Sequence, residues 1–203
     1  MAGYLARPLG RRHFTGLLMA SLLAGAVSYP ALAALDPAEK YVSRIADDVM
    51  ALANSGQRGN GLRNKFASLL NRYISLRTIA NYALGPYQSK LPAGKKNEFY
   101  HLVSNYAAAL FVFYVQDFRG SGLDIISSTT QGKFIVIHSA IKPGNEQVRW
   151  RLTPGGGGFR VSDVNVKGVW LTIAMRDRFN RVLKQSGGNF EALFKELREA
   201  DSW

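Results

Sequence analysis

Cysteine is absent from the 203-residue chain, which excludes disulfides and thiolate metal sites and leaves packing alone to hold a domain together. Histidine is scarce: His13, His101 and His138 are the three present, too few and too scattered to give metal-ligand spacing. No cofactor is implied. Beyond the N-terminal segment there is no apolar run of roughly 20 residues, the length a membrane-spanning helix needs. Carboxylates are few, 14 Asp and Glu against 26 Lys and Arg, for a formal charge of +12.

Catalytic signatures are also missing. No Gly-x-Ser-x-Gly elbow occurs. The four glycines at 155 to 158 precede a strand pattern, whereas a phosphate cradle must open onto a helix, so they read as a hairpin tip. Asp124 and Asp163 have no spacing that would bring them together as an acid/base pair. His138 shares a strand face with Phe134, Val136 and Ala140, where a hydrogen-bonded structural role outweighs a catalytic one. A small hydrolase or isomerase would have to pair His138 with Asp163. No catalytic residue is assigned.

The first 33 residues carry Arg7, Arg11 and Arg12, then an apolar stretch from Leu17 to Val27, then Ala31-Leu-Ala33. That order is the order of a cleavable secretory signal. Cleavage after Ala33 is expected, leaving residues 34–203 as a single domain. Arg11-Arg-His-Phe14 fits either an ordinary basic start or a twin-arginine signal, so Sec and twin-arginine export both stay open. The three signal arginines account for three of the twelve charges, leaving +9. Such an excess draws polyanions. Export, with no aromatic RNA-binding motif or zinc finger, argues against nucleic acid. What remains is transient contact with a membrane surface, or scattered charge that only keeps the protein soluble.

Further along, Asp36-Pro37 predicts a helix start, followed by an apolar stripe of Val42, Ile45, Val49 and Leu52 that stops near Ser55-Gly56. A second helical pattern carries Phe66, Leu69, Leu70, Tyr73 and Ile74. Ser75 is expected to cap a third, which Gly85-Pro86 ends. Phe99, Leu102, Val103, Tyr106, Leu110, Phe113 and Tyr114 mark a long helix apolar on several sides. From Gly120-Ser-Gly122 the pattern alternates, predicting strands over 123–128, 133–141, 147–153 and 159–166 joined by turn residues. A bulge near Ser162-Asp163 would keep Phe159, Val161, Val164 and Val166 facing inward. In the last region Val164 and Val166 alternate, Lys167-Gly168 breaks the run, and Leu171, Met175 and Phe179 recur every four residues. The fold class is therefore α+β, with helices packed on a curved four-stranded antiparallel sheet and a final helix pair. Ile135, Ile137 and Ile141 lie on one face of the second strand, and Phe134, Val136 and Ala140 on the other. Either a helix covers each face or one face lines a ligand cavity.

The segment Asp163-Val-Asn-Val-Lys-Gly-Val-Trp-Leu171, with the later Phe179, resembles the closing segment of the MlaC family of periplasmic phospholipid-binding proteins, known also as toluene-tolerance proteins. Tyr82-Ala-Leu-Gly-Pro-Tyr87, the run Tyr106 to Tyr114 and Gly187-Gly-Asn-Phe-Glu-Ala-Leu-Phe-Lys-Glu-Leu197 are similar to other blocks of that family. The chain departs at Trp170, where the family commonly has a small polar residue. A hopanoid-associated branch, HpnM, is also similar. The resemblance implies an NTF2-like cone with an apolar cavity, a non-catalytic carrier, and phospholipid acyl chains as cargo. It further implies an inner-membrane ABC transporter complex and an outer-membrane lipoprotein and porin assembly as partners. It tips the open question toward a cavity between the sheet and the long aromatic helix, with Leu84, Tyr106, Leu110, Phe113, Val136, Trp150, Val169 and Leu171 as its wall. The alternative is an NTF2-like binding module that uses its basic surface for a protein or polyanion.

Overall fold

Proline at the first helical position and an acid just before it start the first helix, α1 (Pro37–Ala53), in the computed structural model. The model describes residues 36–114 and 122–200; the expected leader and the Gly120-Ser121 opening of the sheet region lie outside the described residues. Asp36 Oδ1 accepts from the amides of Ala38 and Glu39 at 2.7 and 2.9 Å. The Glu39 carboxylate in turn accepts from the Asp36 amide at 3.2 Å. This reciprocal box satisfies amides that no helical carbonyl can reach. Ser128 donates to the other Asp36 oxygen at 2.9 Å, fixing the start of α1 to the sheet.

Helices α2 (Gly59–Tyr73) and α3 (Leu76–Leu84) follow. Ser75 takes the cap position of α3, but its hydroxyl makes no capping bond. Its backbone is drawn to the sheet instead: the Ser75 amide donates to the Val161 carbonyl at 3.2 Å. Gly85 ends α3 at φ +54, and a Cβ there would lie 3.1 Å from Asn180 Oδ1 and 3.2 Å from Arg176 Nε. Only glycine accommodates both that backbone and that approach. After two short 3-10 turns, α4 (Lys96–Tyr114) runs for 19 residues.

The sheet is an antiparallel meander in the order β1 (Gly122–Gln131), β2 (Phe134–Lys142), β3 (Glu146–Gly155), β4 (Gly158–Val166) and β5 (Val169–Trp170). It thus has five strands rather than the four expected. Lys167 at φ 52 and Gly168 at φ 83 form a two-residue turn, and Val169 and Trp170 pair back onto Val166 and Asn165. Two positive φ angles in succession match the right-handed twist of adjoining strands, so the break in periodicity is a hairpin and not the end of the sheet. The expected bulge is present. Arg151 faces Asp163 while Leu152 faces Val161, which leaves Ser162 as the extra residue. Phe159, Val161 and Val164 consequently all reach the same apolar cluster. A second bulge leaves Ile126 of β1 unpaired and exposed.

Helices α5 (Leu171–Gln185) and α6 (Phe190–Glu199) close the fold. The described residues belong to one compact unit, Leu35–Trp203. Its interior is divided into three apolar clusters. One joins α3, α4, α5 and α6 around Phe99, Phe179 and Phe194. A smaller one joins α1, α2 and α4, with Phe66 stacked on Phe111 at 3.7 Å and 4°. The third lies between α1 and the sheet, where Val42 and Ile45 meet Ile137, Leu152 and Val161.

Candidate functional site

Asp163 is the most committed polar group of the sheet. Its carboxylate is buried, at 1% side-chain exposure, and accepts from the Thr172 amide at 3.1 Å and the Thr172 hydroxyl at 2.6 Å. Thr172 lies in the first turn of α5, whose own cap position, Trp170, has no side chain able to accept. A strand residue therefore caps the helix from outside and places a negative charge at the positive end of its dipole. Arg151 completes the pairing at 3.4 Å, and its guanidinium stacks 4.0 Å from the centre of the Trp170 ring. Trp170, the departure from the family pattern, thus covers a charge pair. His138 lies opposite Arg149 on β2, and its side chain makes no hydrogen bond among the described residues. Asp124 is on the edge strand opposite Ala140, with two strands between it and the strand of Asp163. Among the described residues no group of three or more His, Asp or Glu is placed to hold a metal.

The eight residues expected to wall a cavity occupy three environments. Leu84 and Tyr106 are buried in the helical cluster, and Leu110 packs against it. Val136 and Trp150 lie on opposite sheet faces: Trp150 pairs with Ile137 and reaches the α1 cluster, while Val136 pairs with Arg151. Both faces of β2 are buried, with Ile137 at 0% and Val136 at 2% exposure. Phe113, Val169 and Leu171 are exposed at 61%, 52% and 47%. Only the first three gather around one cluster.

A cleft that the sequence reading did not single out lies where α2, α3, α4 and β4 converge. Its volume is about 730 Å³, and its lining includes Arg77, Arg160, His101, Ser104 and the first residues of α3, with no carboxylate. Ile74 on its floor packs against two of the apolar clusters, and neighbouring Leu76 against the third. Its lining residues therefore touch all three. A sequence signal for it does exist: no Asp or Glu occurs between Asp48 and Glu98, although Lys and Arg recur throughout.

Fold and site define an α+β domain with a divided apolar interior beside a basic cleft, and no helix among the described residues is long and apolar enough to cross a membrane. The chain belongs to the MlaC family, whose model, described as MlaC protein, matches residues 43–199. No curated protein matches it. Among solved structures it is similar to the phospholipid-binding protein from Ralstonia solanacearum in complex with a phospholipid, with a TM-score of 0.67 at 18% identity. That match covers 80% of this chain and 96% of the other, and it shows a common fold.

Proposed function

We propose that the protein is a periplasmic, non-catalytic carrier of phospholipid or a related lipid, held as a leader-cleaved domain of residues 34–203. The observation that carries this reading is the three-way division of the interior within a chain of the MlaC family. A domain of this size ordinarily has one contiguous core. Clusters bridged by the partly buried Val49 and Ile74 can part along their seams, and acyl chains between them restore the apolar contact that parting removes. In this reading the bulged sheet and the helices open as an NTF2-like cone, and some or all of the eight wall candidates turn toward the chains.

The energetics favour such a device. Two acyl chains of roughly 30 methylenes in all stand to lose on the order of 24 kcal/mol on release to water, at about 0.8 kcal/mol per methylene. Spontaneous loss is then negligible. A bilayer returns a similar amount, so transfer is nearly balanced, and a docked partner directs it with a few kcal/mol of differential affinity. An inner-membrane ABC transporter complex and an outer-membrane lipoprotein and porin assembly are the partners this reading assigns.

Mass spectrometry of organic extracts from natively purified protein tests the reading. Lipid at a fixed stoichiometry is expected, and hopanoid in place of phospholipid would redefine the cargo. Absence of lipid, with no uptake from vesicles, would reject the carrier. Folded Leu110→Arg and Val136→Glu variants are expected to purify empty, and full retention in either removes that position from the wall.

A further inference from the structure

We propose that the exposed flank of α2 is a landing surface for a bilayer that contains anionic lipid. Residues 49–97 hold eight Lys and Arg and no Asp or Glu. Beyond the three arginines of the expected leader the chain carries nine net charges, so eight of them arise in this one segment. The excess is concentrated, not scattered.

Helix α2 gives that excess a direction. Leu62, Phe66 and Leu70 are buried in the cluster that α2 shares with α1 and α4, which fixes the rotation of the helix about its axis. Arg58, at the cap position, Lys65 and Arg72 follow one another at intervals of seven residues. Seven residues are close to two full turns, so the three cations share one flank outside the buried stripe. All three are exposed. Arg58 and Lys65 form no ion pair with a described carboxylate, and the pair of Arg72 with Asp48, at 3.5 Å, is exposed on both sides and therefore weak. Arg160 of β4 donates to the Arg72 carbonyl and adds a fourth cation at the end of the row.

Spacing and composition narrow the partner. At 1.5 Å per residue the cations stand about 10 Å apart along a row of about 21 Å. One carboxylate or phosphate cannot meet three charges so placed, whereas a plane of anions meets them together. The exposed residues of α2 are Gly, Asn, Ser, Lys and Arg, with no aromatic or aliphatic anchor of the kind that carries affinity between proteins. An anionic bilayer needs no anchor. Each Lys or Arg near such a surface strengthens attachment about fivefold, and salt weakens it. The landing surface stands on charge and geometry; its use in cargo exchange rests on the carrier reading.

Co-sedimentation of the purified protein with phosphatidylcholine vesicles, with and without phosphatidylglycerol, at low and high salt, tests the assignment. Wild type is expected to bind only the anionic vesicles and to leave them as salt rises. Arg58→Glu/Lys65→Glu should weaken that binding at least tenfold. Arg181→Glu/Lys195→Glu makes the same change in net charge at exposed positions of α5 and α6 and should weaken it less than threefold, with the folding of both variants checked by circular dichroism. Equal weakening by the two variants would reduce the effect to net charge and overturn the proposal. So would a wild type that ignores anionic vesicles at low salt, an outcome that turns the flank toward an acidic protein. Vesicle binding that depends on Arg58 and Lys65 without any lipid uptake would defeat the carrier reading and leave the landing surface standing. Lipid uptake with vesicle binding unimpaired in the α2 variant would defeat the landing surface alone.

Discussion

Two aspartates show how a single carboxylate joins distant parts of the chain. Asp163 satisfies the first turn of α5 and an arginine on the neighbouring strand. Asp163→Ala should therefore cost about 3 kcal/mol, at the low end for breaking a buried pair because Arg151 keeps some access to water. Asp163→Asn keeps an acceptor for Thr172 and should cost less; urea denaturation of both variants checks the order. At Asp36 the amide of Glu39 does most to hold the carboxyl below its ordinary value of 3.8, against partial burial and with help from Ser128 and the Ala38 amide. A depressed acid contributes stability above its unfolded value and loses it as pH falls through the folded one. Asp36→Ala should thus cost about 1 kcal/mol at neutral pH and cost less below 3.8, which thermal melts at the two pH values will show. The Asp36 cap was readable because its signal is local, a cap residue followed directly by a proline. The role of Asp163 was not, since its partners are 12 and 9 residues away and depend on the strand pairing.

At the scale of elements, hydrophobic period placed α1, α2, α4, α5, the four long strands and the bulge near Ser162-Asp163, because each leaves its trace within a few residues, while cap and breaker residues bounded α3 and the family resemblance marked α6. The fifth strand is two residues long and has no period to read; only the paired positive φ angles at Lys167 and Gly168 create it. The basic cleft was hidden for a different reason. Its donors come from α3, α4 and β4, and Ser75, which looks like a cap in sequence, is turned from that task by β4. Gly85 is the tightest joint between elements, with α5 side chains at 3.1 to 3.2 Å from where a Cβ would stand. Gly85→Ala combines a disfavoured positive φ with that crowding and should destabilise by about 1–3 kcal/mol. Arg176 can swing away more easily than Asn180, whose amide donates to the Ala83 carbonyl at 3.1 Å; adding Asn180→Ala should therefore fail to restore full stability, as a denaturation series will reveal.

For the molecule as a whole, excess positive charge and a divided interior point the same way. Cargo that binds only the folded state raises its apparent stability in proportion to the logarithm of free ligand over Kd. Delipidated protein should therefore melt at a lower temperature than protein purified natively, and reloading from vesicles should return the midpoint; calorimetry on the three preparations decides it. The eight wall candidates were chosen for being large and apolar, a property they share with ordinary core. Sequence could not sort Leu84, fully buried, from Val169, half exposed, because that difference is set by which layers meet.

The flat stack of Phe66 on Phe111 has a mechanical meaning. Parallel rings keep much of their attraction when displaced sideways, whereas interlocked aliphatic side chains must climb over one another. A face-to-face pair gains from a small sideways offset, so a shift of α2 along α4 by a fraction of a ring width costs this contact little.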